Sequence, residues 1–102
     1  MKVWEMQDVV RRAMTAMGLF EDLLFGKYDL HLLHQEPAEG EVCHWISEDC
    51  DILLLYDGES FGAQVKQKKT LPAEFVDDVL QLLRKCLQTF GLIGDDERIE
   101  AA

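Results

Sequence analysis

The chain has 102 residues, with 10 Lys plus Arg against 20 Asp plus Glu, for a formal net charge of −10. With 48% apolar residues it is long enough for one domain with its own core. The charge argues against a basic phosphate-binding surface, and no apolar run approaches the roughly 20 residues of a membrane span.

The N-terminal residues carry acids before any apolar stretch develops, so no secretory signal is expected. Met6, Val9, Val10, Ala13, Met14 and Met17 then recur at spacings of three and four, which predicts a helix. Gly18 reads as a stop or kink, with Leu19 to Phe25 adding a turn or two before Gly26. The period then changes. Tyr28 to Gln35 reads as a strand, residues 36–40 as a Pro- and Gly-punctuated loop, and Val42 to Ser47 as a second strand.

Asp51 to Tyr56 and Ser60 to Gln67 are two further strands, joined at Asp57-Gly58. That dipeptide is the strongest hairpin signal in the chain, because Gly accommodates the positive φ a tight turn needs. A two-residue turn pairs Tyr56 with Glu59, Leu54 with Phe61 and Ile52 with Ala63. Ile52, Leu54, Phe61, Ala63 and Val65 then share one apolar face. Leu53 and Leu55 fall on the opposite face, which is not cleanly polar. Something in the chain covers that face or a partner does. The turn before Asp51 lacks Gly, so two registers stay open. One puts Cys43 and Trp45 on the core face; the other puts Val42, His44 and Ile46 there.

From Pro72, Phe75, Val76, Val79, Leu80, Leu82, Leu83, Cys86, Leu87 and Phe90 form a broad apolar arc ended by Gly91. The expected fold is therefore α+β: an N-terminal helix, a four-stranded antiparallel meander, and a long C-terminal amphipathic helix packed on one sheet face. Residues 1–93 form the domain, and 94–102 a flexible acidic tail.

Three cysteines, Cys43, Cys50 and Cys86, are an odd number and favour reduced thiols in a cytoplasm over a disulfide scaffold. His31, His34, Cys43 and His44 suggest a metal or small-ligand site, but no Cys-x-x-Cys spacing supports it. Asp49 to Glu59 fails as a calcium loop, since Leu53 to Leu55 offer no side-chain oxygen. Ser47 and Ser60 lie at turns, and no nucleophile, phosphate-loop or dinucleotide motif is present. Lys66 to Lys69 is the single basic run and reads as a solubilising feature at a sheet edge. From Gly26 to Glu59, Lys27 stands against nine acids, so this third of the chain holds −8 of the −10.

These observations point to a small acidic cytoplasmic protein-binding module without catalytic activity, cofactor or metal: an adaptor, chaperone-like accessory or inhibitor protein. It is expected as a homodimer that touches neither nucleic acid nor membrane. Its interface is expected at Leu53, Leu55, Val42 and Ile46, because a dimer would bury the second apolar sheet face. Glu36, Glu39, Glu41, Glu48 and Asp49 are the candidate acidic partner surface. The alternatives are the metal or ligand site and an acidic nucleic-acid mimic that binds a basic protein.

Overall fold

A computed structural model describes residues 6–28, 30, 32–94 and 99–101. The elements run α1 (Met6–Tyr28), β1 (Leu33–Gln35), β2 (Glu41–Ile46), β3 (Cys50–Tyr56), β4 (Phe61–Gln67), α2 (Phe75–Thr89) and β5 (Glu100–Ala101). The sheet order is β1-β2-β3-β4-β5. The first four strands form an antiparallel meander, and β5 is parallel to β4. The α+β order expected from the sequence is the observed one.

Helix α1 passes through both Gly18 and Gly26 without ending. Each glycine costs a helix interior about 1 kcal/mol relative to Ala. The continuous buried stripe Val9, Ala13, Ala16, Met17, Phe20 and Leu24 keeps helical spacing across Gly18, and its packing outweighs that cost. Beyond α2, Ile99 is buried and Glu100–Ala101 extends the sheet beside β4.

Both helices cover the same sheet face. Phe20 of α1 packs on Trp45 of β2 with ring centroids 5.2 Å apart, and Tyr28 meets Phe75 of α2 edge-on at 5.0 Å. Phe75, Val79, Leu83, Cys86 and Leu87 of α2 join Ile52, Leu54, Phe61 and Ala63 in one core. Helix α2 starts three residues later than Pro72, since residues 72–74 form a turn in which Phe75 N–H donates to the Pro72 carbonyl. Its other end stops as expected. Gly91 sits at φ 72°, Gly91 N–H reaches the Gln88 carbonyl and Leu92 N–H reaches that of Leu87, the Schellman pattern.

The hairpin at Asp57-Gly58 is real but longer than two residues. Tyr56 pairs with Phe61, Leu54 with Ala63 and Ile52 with Val65, two places from the expected register. The Asp57 carboxylate causes this: its Oδ1 accepts from Glu59 N–H and Ser60 N–H, each at 2.8 Å, and closes a four-residue loop. A shift of two preserves parity, so the apolar face is the expected one. Between β2 and β3 the Cys43/Trp45-inward alternative is realised, with Trp45 opposite Ile52 and Cys43 opposite Leu54.

Candidate functional site: the uncovered sheet face

The register aligns three rows of side chains on the face away from the helices. Leu33, Ile46, Asp51 and Lys66 form one; Gln35, His44, Leu53 and Gln64 the next; Glu41, Leu55 and Gly62 the third. Leu33 is 68% exposed, and Ile46, Leu53 and Leu55 are half-buried. None of these four joins the helix-covered core. They form an apolar stripe flanked by Asp51, Lys66, Gln35, His44, Gln64 and Glu41. The hairpin parity expected from the sequence puts Leu53 and Leu55 on this face, and the β2 register realised of the two left open adds Ile46.

Val42 does not belong with them. It is 2% exposed in the core, and so is its neighbour Cys43 at 4%. A β-bulge between Glu41 and Cys43 inserts one residue, breaks the alternation and turns both side chains inward. Leu33 takes its place on the outer face. Alternation with Leu32, which is buried, carried that information in the sequence.

The acidic residues do not form one surface. Glu36, Glu39 and Glu41 lie at the end of the sheet where β2 begins, together with Asp57 and Glu59 of the β3–β4 loop. Glu41 Oε1 also fastens its loop by accepting Ala38 N–H at 2.8 Å. Glu48 and Asp49 lie at the other end of β2, about 20 Å away along six residues. There the basic run answers them. Lys68 Nζ is 2.9 Å from Asp51 and donates to the Ser47 carbonyl, and Lys69 lies 3.7 Å from Glu48 and 3.8 Å from Asp49. The two ends therefore differ in charge, one with five carboxylates and the other with three carboxylates against three lysines.

The proposed metal ligands are not brought together. His34 is on the helix side of β1, His44 is on the outer face with Nδ1 3.9 Å from Glu41, and Cys43 is buried. His31 lies outside the described residues. No group of three His, Cys, Asp or Glu side chains suited to a metal exists among the described residues.

Among the described residues, three further polar constellations each have a structural task. Glu21 of α1 accepts the Trp45 indole N–H at 2.7 Å and also contacts His34 Nε2. This pins α1 to β1 and β2 and satisfies a donor on a fully buried ring. Asp78 of α2 accepts from the Tyr28 hydroxyl and pairs with Lys27 Nζ at 2.9 Å, clamping the helices together. The Tyr28 hydrogen bond and the Lys27 charge hold the Asp78 carboxyl below its usual range. Donation to Asp78 pushes the Tyr28 phenol up to about 12. Both groups are spent on the clamp between the helices. Asp57, the third, caps its loop, and the backbone N–H groups of Ser60 and Glu59 lower its pKa. A wide cleft of about 820 Å³ lies beside Asp78, lined by Lys27, Gln81, Arg84, Lys85 and Ile99 among others.

The thiols are equally quiet. All three cysteines are free and buried. Burial pushes Cys43 up to about 12 and Cys86 up to about 11, and raises Cys50. Reactive thiols need the opposite shift. No helix among the described residues is long and apolar enough to cross a membrane.

Fold and face together define an α+β protein with one sheet face closed by two helices and the other left open among the described residues. Compared with known proteins, the chain matches no family model, no curated protein and no solved structure.

Proposed function

We propose that the protein is a non-catalytic, acidic protein-binding module of the cytoplasm that works as a homodimer through its outer sheet face. The single observation behind this reading is the stripe of Leu33, Ile46, Leu53 and Leu55 on a face that neither helix touches. Contiguous exposed apolar surface on a small domain marks interaction sites. An isologous contact buries the same stripe on both copies with a single set of residues. The polar clusters support the non-catalytic part, because two of them hold a hydrogen bond or ion pair between elements and the third closes the β3–β4 loop. Three buried, unpaired thiols support a reducing compartment.

Sedimentation velocity over a concentration series tests the reading. The wild type should move from monomer to dimer as concentration rises. Leu55→Glu should remain monomeric while keeping its far-UV circular dichroism and melting transition. A wild type that stays monomeric at millimolar concentration, or a folded Leu55→Glu that dimerises like the wild type, refutes it.

A further inference from the structure

We infer that two copies pack outer face to outer face about a two-fold axis running across the strands, so that each carboxylate-rich end lies over the lysine-bearing end of its partner. This rests on the homodimer reading and adds its geometry. Two copies of one face can meet only about an axis lying in the interface plane. Sheets that pack with their strands nearly aligned leave two choices for that axis, along the strands or across them.

The charge distribution separates the two. The face measures about 19 by 23 Å from four strands and seven residues. One end carries Glu36, Glu39, Glu41, Asp57 and Glu59, and no ion pair engages Glu36, Glu39 or Glu59 among the described residues. The other carries Lys66, Lys68 and Lys69 beside Glu48, Asp49 and Asp51. An axis along the strands lays each end on its own twin and brings ten carboxylates together. Stacked sheets lie about 10 Å apart, about one Debye length at 0.1 M salt, so salt screens that repulsion only in part. An axis across the strands puts five carboxylates over a neutral end with three lysines. The apolar stripe runs diagonally, from Leu33 and Ile46 in the row of Asp51 and Lys66, through Leu53, to Leu55 in the row of Glu41, so the two copies' stripes cross near the middle row under either axis and the charges at the ends select the orientation. The same distribution favours a second copy over an unrelated occupant, because the face carries both the stripe and the two unlike ends that a self-complementary contact needs.

Spin labels read the orientation directly. The native cysteines are buried, so Glu59→Cys offers the one surface thiol for a nitroxide under native conditions. With the axis across the strands, two Glu59 labels sit at opposite ends of the dimer, about 30 Å apart or more by pulsed dipolar spectroscopy. Mixed dimers labelled at Glu59 on one copy and Lys69→Cys on the other should read under about 20 Å. With the axis along the strands the two distances exchange. Leu53→Glu accompanies the experiment and should abolish both signals. A dimer that Leu53→Glu dissociates but whose Glu59 labels lie under about 20 Å apart overturns the orientation and leaves the homodimer reading standing. A dimer that a folded Leu53→Glu does not weaken, or no dimer at all, overturns both.

Discussion

Replacing Glu21 by Ala removes the acceptor of the Trp45 indole N–H, and the structure says how much that should cost. The ring is fully buried and the hydrogen bond is 2.7 Å long. An orphaned buried donor costs about 1–3 kcal/mol, with bonds to charged acceptors toward the upper part of that range. Glu21 is itself largely sheltered, so water restores little of the loss. We expect about 2 kcal/mol, or a fall of roughly 10 °C in Tm for a domain of this size. Glu21→Gln retains an acceptor and should cost less than half as much. The contact with the mostly exposed His34 contributes little, so His34→Ala should cost under about 1 kcal/mol. Urea denaturation of Glu21→Ala, Trp45→Phe and the double variant closes a double-mutant cycle. Glu21→Ala should lose most of its effect in the Trp45→Phe background, because the donor is already gone. An equal cost in both backgrounds would show that Glu21 stabilises the fold by some route other than the indole.

The glycines should respond with opposite signs. Gly18→Ala and Gly26→Ala have open space around the added methyl in a helix and should each stabilise by about 0.5–1 kcal/mol, whereas Gly58→Ala, held at φ 99°, should destabilise by about 1–2 kcal/mol; thermal melts decide. The three thiols should react with Ellman's reagent at neutral pH only as fast as the protein opens, and full reactivity within the mixing time would contradict their burial. Asp57 has its folded pKa below its unfolded value, so its contribution is present above the ordinary carboxylate range and is lost as pH falls through the lowered folded pKa. Acid titration of Asp57→Asn against the wild type should therefore show the two converging at low pH, where the wild type has lost the same interaction.

Local patterns in the sequence carried most of the fold. The i, i+3, i+4 spacing located both helices, and alternation located β2 to β4 and divided Leu53 and Leu55 from Ile52 and Leu54. The face assignment survived the wrong hairpin register because the error was two residues, an even number. What failed was decided by contacts distant in sequence. Gly18 and Gly26 signal a break, yet packing of α1 on β2 and α2 holds the helix through both. The bulge at Val42 has no Gly or Pro to announce it. Glu21 looked like one more acid on a helix until the fold set it against Trp45, 24 residues away. The two-residue β5 is too short for any periodicity to show. The acidic segment is continuous along the chain, but a meander sends successive turns to opposite ends of the sheet, and this split the candidate surface in two.

The claim at the centre of the account is that the outer sheet face binds a second copy. A dilution series of amide NMR spectra tests it residue by residue. The account predicts concentration-dependent shifts at Ile46, Leu53, Leu55 and Gln64, with Val79 and Leu83 in the helix-covered core unmoved. Spectra independent of concentration, or shifts confined to helix positions, would contradict it.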